Sequence, residues 1–281
     1  MNITGKAAPT VTDCLVNGVP ASLVSVRDRG LAYGDGLFET IQVRRGTSPL
    51  SDYHFRRLAR GAQVLRLPLD LTLIRSEIEQ LAKQIGDGLI KLTITRGESL
   101  RGYAMPPQPE LTRILQSSPL PAYSPQHAEQ GIRLYPCMTR LGNQPLLAGI
   151  KHLNRLEQVL ARSEWQGAAY AEGLVCDLAG NPIEGTMSNL FVRLDDCWLT
   201  PALDQCGVRG VMRDFLVENL DGMGEGVVQR TISRDELLRS AEVFCCNSVF
   251  GVWPVVALED RQWSVGPHTR VIQTLAKQVL S

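Results

Sequence analysis

Apolar residues recur along this chain with two periods, and the switches between them predict its elements. Cys14–Val16 is a short apolar run that ends at Asn17-Gly18, a dipeptide suited to the left-handed backbone of a hairpin turn. Leu37–Val43 predicts the next strand, closed by Arg45-Gly46. The period then lengthens. Phe55, Leu58, Ala62 and Leu65 fall on one face of a helix over Tyr53–Leu65, a second helix fits Leu71–Ile85, and Leu89–Thr95 returns to strand alternation. Ser117-Ser118-Pro119-Leu120-Pro121-Ala122-Tyr123-Ser124-Pro125 interrupts both periods. Its prolines fix φ and cannot continue a ladder, which predicts a semi-rigid linker.

Beyond the linker the mixture resumes. Gly131–Cys137 predicts a strand and Asn154–Gln166 a helix, with Asn154 and Glu157 as a capping box, Leu156, Val159 and Leu160 as its apolar stripe, and Gly167 as its stop. Ala169–Cys176, Ser188–Leu194 and Cys197–Leu199 predict a strand meander, turning at Ala179-Gly180-Asn181-Pro182 and at Asp195-Asp196. Gly210–Leu220 is expected to be helical, and Glu242–Asn247 and Trp253–Leu258 extended. No internal repeat is visible. The expected class is α+β, with a smaller N-terminal domain over 1–117, a linker over 118–125 and a larger C-terminal domain over 126–281.

Composition narrows the partners. The 281 residues are 44% hydrophobic and 21% charged, with Lys+Arg and Asp+Glu both at 29. That balance gives no electrostatic case for nucleic acid or an anionic membrane. The opening MNITGKAAPTVTDCLV lacks the basic-then-apolar layout of a signal peptide, and no run is apolar enough to span a bilayer. The 7 cysteines show no CxxC spacing, and the adjacent Cys245 and Cys246 read as small buried hydrophobes. His54, His127, His152 and His268 are scattered, so no metal site is expected. The expected compartment is the cytoplasm.

Familiar nucleotide and hydrolase motifs are missing: there is no Walker A loop and no GxSxG elbow, and Gly34-Asp35-Gly36 and Gly222-Met223-Gly224 are turn-like fragments. Lys151 stands just ahead of the predicted capping box, beside Ile150 and Leu153. Burial and the positive helix end would lower its pKa and free its amine for attack on a carbonyl carbon, although an isolated lysine there is ordinarily a solvated charge. Glu184 lies between two apolar strands, either as an exposed loop carboxylate or as a partner for a protonated ring nitrogen. Gly207-Val208-Arg209-Gly210-Val211-Met212-Arg213 opens a helix whose first amides could bind a phosphate, or is a plain glycine turn. Arg57, on the first helix, offers a bidentate phosphate contact or a surface charge. The loop Arg96-Gly97-Glu98-Ser99-Leu100-Arg101-Gly102-Tyr103 carries two guanidinium groups and a phenol, suited to a carboxylate-bearing substrate or merely to solvent.

Six segments in order resemble the fold-type IV pyridoxal-phosphate enzymes, the family of branched-chain and D-amino-acid aminotransferases and aminodeoxychorismate lyases. They are the run Asp28 to Thr40, His54-Phe55-Arg56-Arg57-Leu58, Ile150-Lys151-His152-Leu153-Asn154, the run Glu184 to Phe191, the run Gly207 to Arg213, and Cys246-Asn247-Ser248. Ala148 to Val159, Phe38-Glu39-Thr40 and Arg101-Gly102-Tyr103 resemble the lyase branch in particular. The resemblance implies two domains with sheet or barrel-like cores and flanking helices, and pyridoxal 5'-phosphate held covalently by Lys151. It implies Glu184 at the ring nitrogen, and Arg57, Val211, Met212, Asn247 and Ser248 about the phosphate. Asn247 stands where some relatives carry a hydroxyl residue. The resemblance further implies that Thr40 relays a proton and that Tyr33, Arg101 and Tyr103 bind a small-molecule substrate. The implied enzyme is a homodimer in which a small-domain loop approaches the partner's site. The implied reaction takes 4-amino-4-deoxychorismate to 4-aminobenzoate and pyruvate, toward folate. The alternatives are an aminotransferase on the same cofactor and a catalytically silent protein on the same fold.

Overall fold

The structure, a computed structural model, describes residues 14–222 and 226–281. The chain's opening residues before Cys14, and Met223 and Gly224 of the glycine fragment, lie outside the described residues. The first half contains β1 (Cys14–Val16), β2 (Val19–Pro20), α1 (Arg29–Tyr33), β3 (Gly36–Val43), α2 (Ser51–Leu65), α3 (Leu71–Ile85), β4 (Gly88–Thr95) and β5 (Thr112–Ser118). The second contains α4 (Gln126–Glu129), β6 (Ile132–Leu141), α5 (Leu156–Ser163), β7 (Glu172–Asp177), β8 (Pro182–Gly185), β9 (Asn189–Leu194) and β10 (Cys197–Thr200). It continues with α6 (Val211–Gly222), β11 (Val227–Gln229), α7 (Arg234–Arg239), β12 (Glu242–Asn247), β13 (Gly251–Leu258), β14 (Arg261–Gln262) and α8 (Pro267–Leu280).

The first five strands form an antiparallel sheet in the order β2-β1-β5-β4-β3. Alternation divides β3 between its two faces. Leu37, Ile41 and Val43 join Ile90, Leu92 and Ile94 under Phe55, Leu58, Ile74 and Ile78 of α2 and α3, while Phe38 and Thr40 turn the other way. The Asp70 carboxylate accepts the Leu73 amide at 2.9 Å and starts α3, as an N-cap aspartate should.

The second half is built on a six-stranded barrel in the order β9-β12-β13-β6-β7-β8, parallel across β13-β6-β7 and antiparallel elsewhere. It closes through one residue pair, Glu184 of β8 with Asn189 of β9. Leu190, Val192, Val243 and Cys245 point into the barrel with Trp253 and Val255. Their neighbours Phe191, Phe244 and Cys246 point outward under α6 and α8. The two adjacent cysteines are therefore buried on opposite faces of one strand.

The segment after Lys151 departs from the sequence pattern. The helix spans Leu156–Ser163 rather than Asn154–Gln166, its N-cap is Arg155, and no capping box forms. Asn154 Nδ2 instead donates to the Gly34 carbonyl at 3.2 Å, and Glu157 accepts the Gly142 amide at 2.8 Å. The apolar stripe faces out: Leu156 is 76% exposed and Leu160 58%. The reason is that α5 seats the small Ala161 against Cys137 and Val175 and turns Arg155, Gln158 and Val159 toward a cavity, which leaves its two leucines outside.

Candidate active site

Between the first sheet and the barrel lies a cavity of about 590 Å³, within the range of ligand pockets. Residues 149–153 form a strap across it, bonded on both sides. On one side Phe38 donates its amide to the Lys151 carbonyl and Leu153 donates to Gly36, both at 3.0 Å. On the other, Gly149 donates to Gly207 at 2.9 Å and Arg209 to Gly149 at 3.1 Å. The strap fixes Lys151 in the cavity wall, its Nζ 4.4 Å from the centroid of the Phe38 ring. Burial, then the nearby Arg57 guanidinium, bring the Lys151 amine down to about 7, against opposing pulls from Glu39 and Glu184. The helix end that the sequence places beside the lysine is not the cause, because α5 begins only at Leu156.

Under the cavity floor Glu39 of β3 meets His54 and Arg57 of α2, all at most 5% exposed. Glu39 accepts from Arg57 Nε at 2.8 Å and from Arg57 Nη2, and its Oε2 lies 2.6 Å from His54 Nδ1. Burial alone would raise the Glu39 carboxyl; Arg57 and then His54 outweigh it and hold it at about 2. Arg57 Nη1 also donates to the Arg209 carbonyl at 3.2 Å. Three of the five guanidinium hydrogens are thus bonded, and the side chain still reaches the cavity wall.

Opposite the lysine, Glu184 sits in β8, not in an exposed loop, and is 4% exposed. It accepts the Val208 amide at 2.7 Å and Gln158 Nε2 at 3.3 Å. Burial nevertheless raises its pKa. Glu172 orders the adjoining turn, accepting the Thr186 amide at 2.9 Å and the Ser188 hydroxyl at 2.6 Å. At the far end, Asn189 accepts the Gly210 amide at 2.9 Å and donates to Val208 at 2.8 Å. A Cβ on Gly210 would stand 2.0 Å from that Asn189 oxygen, so only glycine allows the approach. This clasp presents the start of α6, whose first amides have no partner within the helix. Ser248 donates to the Thr40 carbonyl at 3.3 Å, while Asn247 Oδ1 accepts the amides of Val249 and Phe250, each at 2.9 Å.

Residues 36–258 match the family model described as amino-transferase class IV. The chain belongs to that family. It is 36% identical to the aminodeoxychorismate lyase of Vibrio harveyi over 264 residues, covering 92% of this chain and 97% of the relative. It is 30% identical to a putative branched-chain-amino-acid aminotransferase of Methanocaldococcus jannaschii, covering 91% of each. Among solved structures, the 4-amino-4-deoxychorismate lyase of Pseudomonas aeruginosa superposes with a TM-score of 0.93 at 51% identity, over 94% of this chain and 98% of the other.

In this class IV chain, Lys151, Thr40, Arg57, Glu184, Val211, Asn247 and Ser248 all line the cavity. Met212 does not: its side chain is fully buried in the core beneath α6, which leaves its backbone amide as the group of interest. Tyr33, Arg101 and Tyr103 lie outside the lining. Tyr33 and Tyr103 are in ring contact at 5.4 Å, the Tyr33 hydroxyl accepts the Gly102 amide, and Tyr103 is 86% exposed. Arg96 is no substrate group at all. It is buried, donating to Asp35 and to the carbonyls of Leu65 and Arg66.

Sequence reasoning assigned no role to Phe38, Glu39, Arg155, Gln158 or Arg162. Phe38 was within reach, since it shares a strand face with Thr40 at a spacing of two. The lining fits pyridoxal phosphate: an amine readily deprotonated near pH 7 for its aldehyde, a buried carboxylate for its ring nitrogen, and a guanidinium with helix-start amides for its phosphate.

Proposed function

We propose that this chain is a pyridoxal-phosphate lyase that converts 4-amino-4-deoxychorismate to 4-aminobenzoate and pyruvate. The observation that carries this reading is the placement of one readily deprotonated amine, Lys151, and one buried carboxylate, Glu184, in the wall of one cavity. The likeness to two lyases, one of them 51% identical, selects this reaction among those of the family. Lys151 would hold the cofactor, Glu184 its ring nitrogen, and Arg57, Ser248 and the amides of Val211 and Met212 its phosphate, with Asn247 shaping the turn beside it. When bound, the cofactor supplies an electron sink that acidifies the substrate carbon bearing the amine. Lys151, its amine set free once the substrate amine has taken its place, would then take the proton from that carbon as a general base. Thr40, on the same wall, hands a proton to the departing enolpyruvate, and loss of that group leaves an aromatic ring.

The test is turnover of aminodeoxychorismate without any keto acid. Equal yields of 4-aminobenzoate and pyruvate are expected. A lyase returns to its starting state each cycle, whereas an aminotransferase keeps the amino group and stalls without an acceptor. Turnover only of D-alanine or branched-chain amino acids, and only with a keto acid, would replace this reading with the aminotransferase one.

Finer features follow the same reading. Leu156 and Leu160 form an exposed apolar pair on α5 of the kind a second copy covers, which supports a homodimer. Across a subunit boundary, Tyr33, Arg101 and Tyr103 would reach a partner's cavity. All 7 cysteines are unpaired, which supports a reducing, cytoplasmic setting. The two-domain division about 118–125 is supported by one core under the first sheet and another inside the barrel, although Ile150 of the strap joins the first.

A further inference from the structure

The inward stripe of α5 carries polar groups that no role above absorbs. Arg155, Gln158 and Arg162 recur at i, i+3 and i+7 and all line the cavity. Arg155 donates Nε to the His152 carbonyl at 3.0 Å, and neither of its terminal nitrogens meets a protein acceptor among the described residues. It lies close enough to Glu184 and Arg57 for each to act on its charge, which places it at the inner end. Arg162 stands at the outer end, exposed, its guanidinium 4.5 Å from the Trp165 ring centroid and one nitrogen anchored on the Trp165 carbonyl at 3.1 Å. Each keeps a pair of donors for a planar acceptor. Their backbones are separated by about 10 Å along the helix axis.

We propose that Arg155 and Arg162 form a two-point receptor for a dicarboxylate substrate, Arg155 taking the carboxylate nearer the reacting carbon and Arg162 the one farther away. This rests on the lyase reading, whose substrate carries an enolpyruvyl carboxylate beside the amine-bearing carbon and a ring carboxylate opposite it. Arginine suits both, because its fork binds a carboxylate through two parallel bonds. The arrangement also explains why α5 turns its charged stripe inward and its leucines outward.

The probes are chorismate, which keeps both carboxylates but has a hydroxyl in place of the amine, and 4-aminobenzoate, which keeps only the ring carboxylate. Their dissociation constants would be read from perturbation of the cofactor absorbance in the cofactor-loaded enzyme. Arg155→Met is expected to weaken chorismate about tenfold or more and leave 4-aminobenzoate unchanged; Arg162→Met should weaken both. Arg155→Lys, which keeps the charge, should recover part of the loss. Cofactor affinity, measured separately, should stay within about twofold of wild type. Unchanged chorismate binding in both Met variants overturns the assignment, as does a loss at Arg155 that tracks loss of cofactor. If the wild-type enzyme neither turns over aminodeoxychorismate nor binds chorismate, the lyase reading and this receptor fall together. If it does both while the variants match it, the receptor alone falls.

Discussion

Lys151 owes its reactivity to what surrounds it. The cavity wall withholds water from the amine and Arg57 repels its proton, so the group that would be charged up to about pH 10.4 in solution is half neutral at about 7. Only the neutral amine attacks an aldehyde. The rate at which cofactor-free protein captures added pyridoxal phosphate should therefore rise with pH through about 7 and level off above it. Stopped-flow absorbance would follow the capture. A rate still climbing about tenfold per unit between about pH 8 and 10 would mean an ordinary, solvated lysine.

At the scale of elements, the contact of β3 with α2 shows how a buried charge is managed. Glu39 is ionised in an otherwise apolar layer because Arg57 and His54 close around it. Arg57→Ala should then cost more than a phosphate contact. It strands a buried carboxylate, and losses of this kind run to about 3–5 kcal/mol. Urea unfolding of the cofactor-free protein measures it, and Glu39→Gln added to Arg57→Ala should return part of the stability. No return would mean that the two side chains are energetically separate. The alternation of Leu37–Val43, the stripe of α2 and the ends of α3 were legible in the sequence because each buries a periodic apolar face. Strand β8 was not, since four residues are too few to establish a period, and α7 and α8 also went unread. The inward face of α5 misled for a physical reason: periodicity identifies an apolar stripe without saying what the helix lies against. Lys151 and Glu184 could be picked out by resemblance, but Glu39 as the anchor of Arg57 required the register of β3 on α2.

For the whole molecule, the first expectation is assembly. Sedimentation equilibrium should give twice the 30.9 kDa chain mass at micromolar concentration. A monomer that still turns over substrate would leave Arg101 and Tyr103 without a cavity to reach and end their part in binding. The strap at 149–153 has a different consequence, for how such a chain can be inherited. Its bonds to β3 and to residues 207–209 run between backbone groups, and three of the residues that make them, Gly36, Gly149 and Gly207, stand where a side chain would clash or the backbone is left-handed. A recombination joint in the proline segment at 118–125 would exchange one wall of the cleft for a relative's and still leave Lys151 seated wherever the incoming piece keeps a glycine at Gly36. Glu39, His54 and Arg57 would travel together on the exchanged piece, whereas Tyr53 and Arg56 would lose Glu218, their partner on α6, unless it changed in step. The amine's position is thus a property of the common scaffold, open to mixing between lineages. Fine adjustment of how the two halves meet lies in the side-chain pairs between α2 and α6, and these must vary as couples.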